Sequence, residues 1–280
     1  MMTTPSREQV LAQIDPLYFL DYALFTGSVR HHASDTFERA FKEDPNPAHR
    51  RLHCVNVNKE KFAAYEDVGA FLNAFLDYRR GDIDIPIISL IEYRTKDVII
   101  SKLFEKYEIS SGQELYSQLK LDDWIPSDWN DWFSHLDLKK ALKKACNFFF
   151  DDCSKNQDQL GVVAYNKIKH GLLVVPSGKC YLPDLPDSPA VIISTSADSP
   201  TAQTHPFTLY GFKSSDIDIE GLHREIYFIQ NNLRLFAALY VVWRYPETLK
   251  TRGVSDPKSL FESAQFEYVR HTIGEVTAKS

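Results

Sequence analysis

Residues 164–171, with the sequence AYNKIKHG, bring together side chains that can move a proton and hold a phosphate. On a helix, Asn166 and His170 are four residues apart and share one face, with Lys167 one turn before His170 and Lys169 beside it. A nearby lysine lowers the pKa of a histidine and favours its neutral, basic form near about pH 7. The segment therefore suits general-base chemistry on a phosphate ester, although helix ends also carry Lys and His for structural reasons.

This stretch resembles the signature of the HEPN superfamily, compact helical bundles that are often dimeric and include many metal-independent ribonucleases of defence and toxin systems. The family motif is an Arg, often followed by a polar residue such as Asn, and then a His a few positions on. Asn166 and His170 match the polar residue and the His, whereas Tyr165 stands where the family has Arg. The resemblance implies that His170 takes the proton of a ribose 2′-hydroxyl, that Asn166 orients it, and that Lys167 or Lys169 replaces the missing cation.

A second polar set lies on the helix that the sequence predicts from Leu222 to Trp243. His223, Tyr227, Gln230 and Arg234 recur at steps of four and three residues and therefore share a face. In one interpretation this face lines a cleft opposite the candidate base, where Arg234 supplies a guanidinium and His223 contacts the substrate. In the other it is a solvated helix face, which such a polar stripe favours.

The region from residue 30 to residue 42 carries polar side chains at a predicted helix boundary. Ser34 or Asp35 is expected to cap a short helix that runs to Lys42. Arg30 and His31 belong to a loose basic set near helix ends, for which a solvated surface is favoured over a phosphate contact.

The composition is that of a globular protein and argues against several classes of function. Apolar residues make up 44% and charged residues 25% of the 280 residues, which are ordinary globular values. The net charge of −6 disfavours broad coating of nucleic acid, although it permits a local basic site. None of the four cysteines forms a C-x-x-C pair, and the sequence lacks a glycine-rich phosphate loop and an H-E-x-x-H motif, so we expect no metal and no cofactor. The N-terminal MMTTPSREQV lacks the apolar core of a signal peptide, and no apolar run is long enough for a membrane span, so we expect a cytoplasmic protein without membrane contact.

The expected fold is mainly α: a helical bundle in a single domain over residues 1–280, with a small antiparallel β insertion at about 172–212. Apolar residues at steps of four and three predict the helices. Within the insertion, the runs LLVV, KCYL, AVIIS and FTLYGF are short and β-prone, and Pro, Gly, Ser and Asp separate them. Ser110 with Gln113 and Ser111 with Glu114 both fit a capping box at the start of a further helix.

Two functional hypotheses follow, and they are nearly level. The first is a HEPN-like metal-independent ribonuclease or toxin-type effector, with RNA as its ligand and a homodimer as its assembly. The alternative is a non-catalytic HEPN-like helical binding or regulatory module that meets a protein partner. Its interface would be either the β insertion or the tryptophan-rich stretch DDWIPSDWNDWF at residues 122–133. Tyr165 and the negative net charge favour the alternative, whereas the helical context and the Asn166–His170 cluster favour the first.

Overall fold

The computed structural model describes residues 6, 9, 13–94, 98–126, 138–157 and 218–256, together with the backbone of three strands at 174–176, 190–194 and 208–211. This part of the chain is mainly helical. Its helices are α1 (Tyr18–Glu43), α2 (Pro47–Arg80), α3 (Ile87–Glu92), α4 (Ile100–Lys106), α5 (Gly112–Gln118), α6 (Leu138–Phe148), α7 (Ser154–Asn156), α8 (Ile219–Arg244) and α9 (Pro246–Thr251). None of the described helices combines the length and the apolar character that crossing a membrane requires.

The three long helices α1, α2 and α8 pack against one another and form the frame of the bundle. The apolar pattern predicts α8 to within a few residues at each end, and the Asp218 carboxylate caps it by accepting a hydrogen bond from the Gly221 amide at 3.0 Å. The cap expected at Ser34 or Asp35 is wrong, because α1 is continuous through both residues. Their side chains contact α8 instead, and this tertiary contact replaces the local cap.

Aromatic side chains fill the centre of the bundle between α2 and α8. Phe75 of α2 packs against Tyr240 of α8 and against Trp124, with ring centroids 4.8 and 5.1 Å apart, respectively. Phe71 and Phe236 extend the same cluster, with centroids 5.9 Å apart. Trp124 is fully buried here, so this tryptophan of the 122–133 stretch belongs to the core; the part of that stretch beyond residue 126 lies outside the described residues.

The short helices α4, α5 and α6 add buried apolar side chains to this core. At α5 Ser111 caps the helix, because its hydroxyl accepts from the Glu114 amide at 3.1 Å. The Glu114 carboxylate accepts at 2.8 Å from the amide of Ser110, the residue before the cap, where a reciprocal capping box would use the Ser111 amide. After α6 the helix widens into one π-helical turn at Phe149–Cys153 before α7. Residues 138–153 therefore form one helical stretch with a single change of winding.

The range 172–212, expected to be a β insertion, contains the three described strands. They are β1 (Val174–Pro176), β2 (Ala190–Ser194) and β3 (Thr208–Gly211). They form an antiparallel sheet in the order β1-β2-β3, with Val175 opposite Val191 and Ile192 opposite Tyr210. The backbones of β1 and β2 approach α2, which places this sheet beside the longest helix.

Candidate functional site

Polar side chains line the contact between one face of α1 and one face of α8. On each helix they recur at steps of three, four or seven residues, so they share a face. The helices run antiparallel here, because Ser28 meets Arg234 at one end and Glu38 meets His223 at the other. We call this contact the polar seam; it consists of Ser28, His31, Ser34, Asp35 and Glu38 of α1 and His223, Tyr227 and Arg234 of α8.

Polar groups of α1 surround the His223 imidazole at one end of the seam. Its Nδ1 lies 2.8 Å from the Ser34 hydroxyl and 3.6 Å from Glu38 Oε2, and its Nε2 lies 3.2 Å from Asp35 Oδ1. Ser34 is fully buried, whereas the His223 and Asp35 side chains retain 18% and 43% of their exposure. The His223 ring is thus held by the buried Ser34 on one side, and the Asp35 carboxylate on its other side is in contact with solvent.

Tyr227 forms the middle of the seam through both its ring and its hydroxyl. The hydroxyl donates to the two Asp35 carboxylate oxygens at 3.1 and 3.2 Å. The ring stacks on His31 with centroids 3.7 Å apart and planes within 3° of parallel, and the His223 ring lies 4.5 Å away on a tilted plane. Three flat rings therefore connect the His223 end of the seam to the His31 end.

Arg234 lies at the other end of the seam with only 5% of its surface exposed. Its Nη2 donates to the Ser28 hydroxyl at 3.4 Å, and its buried Nε has no hydrogen-bond partner among the residues that the structure describes. Across the described residues, no carboxylate forms an ion pair with this guanidinium. Gly27 makes room for it, since a Cβ at that position would lie 2.7 Å from both Nε and Nη2. A buried charge without a counter-charge is costly, and burial lowers the pKa of Arg234 accordingly.

His31 is held as a neutral imidazole in the same region. Burial, and then the positive charge of Arg234 and the proximity of His223, lower its pKa to about 3. At physiological pH, His31 therefore adds no charge to the guanidinium beside it.

A second polar layer, on the α2 side, contains an arginine that does have carboxylate partners. Arg30 of α1 donates to Glu60 at 3.0 Å and to Asp67 at 3.3 Å, and the Gln230 amide of α8 donates to the same Asp67 carboxylate at 2.9 Å. Burial by itself lowers the pKa of Arg30, but the two carboxylates outweigh burial and raise it. Burial raises the pKa of Asp67, and Arg30 and Gln230 oppose that rise. Unlike Arg234, Arg30 is fully compensated.

The seam contains two of the residues that the sequence marked as a candidate site. His223 and Arg234 both contribute to it, but they occupy opposite ends and do not contact each other. The solvated face favoured for the stripe is wrong, because Gln230 and Arg234 are buried against α1 and α2. The surface position favoured for His31 is also wrong, because Tyr227 covers its ring. The remaining candidates lie outside the described residues: His170, Asn166, Lys167, Lys169 and Tyr165.

Ser34, Asp35 and Glu38 are the site residues that sequence reasoning missed. Their spacing of three and four residues on one helix face was a readable signal, but a predicted helix boundary at Ser34 concealed it. Ser34, His223 and Asp35 are also the residue types of a nucleophilic triad. The Ser34 hydroxyl is fully buried and cannot reach a substrate, so its role is to hold the His223 ring.

The geometry permits two kinds of chemistry at the two ends of the seam. At the Arg234 end, a guanidinium without a carboxylate partner can hold an oxyanion, for which its planar fork is well suited. At the His223 end, the ligand atoms of Asp35, Glu38 and His223 all lie within 4.8 Å of one another, an arrangement that can hold a cation. His223 beside Asp35 can also exchange a proton with a ligand.

Comparison of this chain with protein-family models, with curated proteins and with solved structures gave no match.

Proposed function

We propose that the chain is a HEPN-like, metal-independent ribonuclease of the toxin or defence type, which acts on RNA in the cytoplasm as a homodimer. The observation that carries the proposal is Arg234, a buried guanidinium with no carboxylate partner in the described part of the chain. The AYNKIKHG segment lacks the arginine that its resemblance to the family calls for, and Arg234 is a candidate for that missing group.

The surroundings of Arg234 suit an incoming phosphate. Gly27 lets the guanidinium pack directly against the α1 backbone, and the neutral His31 brings no negative charge that would compete with an anion. Ser28 is exposed and its hydroxyl touches Nη2, so the tip of the guanidinium lies directly below the surface. A phosphate at this point would offset the cost of the unpaired charge and would gain two parallel hydrogen bonds from one side chain.

The proposed reaction is an intramolecular transesterification of RNA. His170 takes the proton from a ribose 2′-hydroxyl, and the resulting oxygen attacks the adjacent phosphorus. The bond from phosphorus to the 5′-oxygen of the next nucleotide breaks, which leaves a 2′,3′-cyclic phosphate on one product and a 5′-hydroxyl on the other. Asn166 orients His170, and Arg234 stabilises the charge that develops on the phosphate oxygens. The same motif in the second subunit supplies the proton that the leaving oxygen takes up.

The test is cleavage of RNA in the presence of EDTA by the wild-type protein, His170→Ala and Arg234→Gln. Arg224→Gln is a matched control, because it removes an exposed guanidinium from the same helix. We expect cleavage by the wild type and the control, none by His170→Ala, and a loss of about 100-fold or more for Arg234→Gln. Absence of cleavage by folded wild-type protein would overturn the ribonuclease, and full activity of Arg234→Gln would remove Arg234 from the site.

The second candidate is the non-catalytic binding or regulatory module. A cleft of about 470 Å³ between α2, α3 and α4 favours it. Its wall carries a connected polar group, in which the Asn73 amide donates to the Ser89 hydroxyl at 2.7 Å and Ser89 donates to Asp77 at 3.1 Å, with Lys106 3.3 Å from the same carboxylate. In this case the wild type would cleave no RNA, and Asp77→Asn would weaken binding of the partner without altering the fold.

A further inference from the structure

Three metal-ligating side chains from two helices meet at the His223 end of the polar seam. Asp35 and Glu38 are three residues apart on α1, and His223 reaches them from α8. The ligand atoms of the three all lie within 4.8 Å of one another. In a four-coordinate site the ligand atoms lie about 3.3 Å apart, so shifts of about 1 Å in these side chains would close them on an ion.

The charges around these ligands are unbalanced. Lys42 lies 2.7 Å from Glu38 Oε1 and 3.7 Å from Glu220, which adds a third carboxylate to the group. Three carboxylates against one ammonium leave two negative charges when His223 is neutral. Lys42 is engaged on the Oε1 side of Glu38, whereas Oε2 faces His223. A divalent cation between Asp35, Glu38 and His223 would neutralise this excess.

The histidine is already oriented in the way that metal-binding histidines are. The Ser34 hydroxyl lies 2.8 Å from Nδ1, which leaves Nε2 directed at Asp35 Oδ1, 3.2 Å away. Glu38 Oε2 lies 3.6 Å from Nδ1, so this carboxylate has to turn towards the Nε2 side of the ring to join the ion. Ser34 is fully buried, so it is a fixed support outside the ligand group. Tyr227 likewise holds the Asp35 carboxylate by donating to both of its oxygens. Such outer hydrogen bonds set the tautomer and direction of a ligand and contribute strongly to metal affinity.

We propose that Asp35, Glu38 and His223 bind one divalent transition-metal ion, which joins α1 to α8. One imidazole with two carboxylates suits Zn²⁺, Mn²⁺, Fe²⁺ or Co²⁺ better than Ca²⁺ or Mg²⁺, which prefer oxygen ligands alone. The three side chains are partly exposed, so water completes the coordination of the ion. The ion stabilises the helix pair and takes no part in the proposed cleavage of RNA, which is assayed in EDTA.

The test is titration of EDTA-stripped, dialysed protein with Co²⁺, followed by its visible absorption, and with Zn²⁺ in a calorimeter. We expect one saturable ion per chain and a rise in Tm with the ion, because a ligand that binds only the folded state stabilises it. His223→Gln and Glu38→Gln should each weaken binding by at least 10-fold. Ser34→Ala, which touches no ion, should weaken it by about 10- to 100-fold.

The matched control is His53→Gln. His53 and His49 both lie 3.4 Å from Asp44 Oδ2 and form the other carboxylate–histidine group in the described chain, at the start of α2. This variant should titrate like the wild type. Three results would overturn the proposal: no saturable binding by the wild type, equal binding by wild type and folded His223→Gln and Glu38→Gln, or loss of binding only in His53→Gln. Because the readouts are absorption, heat and Tm, each result is independent of whether the protein cleaves RNA.

Discussion

Protonation of His31 is expected to destabilise the helix pair that forms the polar seam. The imidazole is buried under the Tyr227 ring, close to the Arg234 guanidinium. Burial, then Arg234 and His223, lower its pKa to about 3 in the folded protein, whereas an unfolded chain titrates near the ordinary value of 6.5. Mild acid therefore protonates the unfolded chain before it protonates the folded one.

The sign and size of the effect follow from these two pKa values. Because the folded pKa is the lower one, the contribution of His31 is fully present above about pH 6.5 and is lost as the pH falls from there towards about 3. The loss approaches about 1.4 kcal/mol of unfolding free energy per pH unit for one proton. Between about pH 7 and about pH 5 we expect this histidine alone to remove about 2 kcal/mol.

Urea denaturation of the wild type and of His31→Phe at several pH values measures this contribution. The phenylalanine keeps a flat ring against Tyr227 but takes no proton, so the difference between the two unfolding free energies isolates the titration of His31. The raised pKa of Asp67 and the lowered pKa of Asp44 act in both proteins and cancel in the difference.

We expect the difference to change by about 2 kcal/mol from about pH 7 to about pH 5, in favour of the variant at the lower pH. His32→Phe, at an exposed position on the same helix, is the control and should follow the wild type at every pH. Parallel curves for wild type and His31→Phe would refute the reasoning, because they would show that the folded protein does not hold His31 neutral.

Three further substitutions test the packing around the seam and the core. Gly69→Ala would place a Cβ 1.8 Å from the Val98 carbonyl oxygen. Helix propensity favours the alanine by roughly 1 kcal/mol, but the clash outweighs it, so we expect urea denaturation to show a net loss of about 2 kcal/mol in unfolding free energy. A gain in unfolding free energy would contradict this contact. In Gly27→Ala the new methyl group meets only the flexible end of Arg234, so we expect a loss below about 1 kcal/mol in unfolding free energy. The guanidinium has to move, so we expect RNA cleavage to fall by at least about 10-fold. Unchanged cleavage would show that the position of the guanidinium is unimportant. Ser111→Ala removes the cap of α5 and should cost about 1 kcal/mol in the same denaturation assay, whereas no change would mean that water replaces the hydroxyl.

The sequence predicts those helices and caps whose stabilising contacts join residues close together in the chain. The apolar steps of α8 depend on a single helix burying a single stripe, and the predicted Leu222–Trp243 lies within the observed Ile219–Arg244. The cap of α5 depends on Ser111 and Glu114, three positions apart, and the bond from the Glu114 amide to the Ser111 hydroxyl is present, while the Glu114 carboxylate bonds the neighbouring Ser110 amide. In each case the stabilising partner is within a few residues of the pattern, so the sequence window contains the whole interaction.

The polar seam could not be predicted in the same way, because the contacts that join its two helices connect residues far apart in the sequence. His223 and Ser34 are 189 residues apart, and Arg234 and Ser28 are 206 apart. A polar stripe on one helix has the same local pattern whether water or another polar stripe faces it. Ser34 and Asp35 are residue types that favour helix N-caps, so their local preference pointed to a boundary that the contact with α8 overrides.

Stability alone does not account for the environment of Arg234, and Arg30 shows why. Both arginines lie at the interfaces of α1 and α8, and the fold provides Arg30 with two carboxylates, Glu60 and Asp67. At Arg234 the described residues provide a glycine against which the guanidinium packs, a serine hydroxyl and a neutral imidazole, and none of these carries a compensating negative charge. An arginine that served only the packing of the helices would be more stable with a carboxylate beside it, or replaced by an apolar side chain. The environment of Arg234 is instead suited to a guanidinium whose counter-charge arrives with an anionic ligand, and the proposed RNA substrate would bring such a charge in its phosphates.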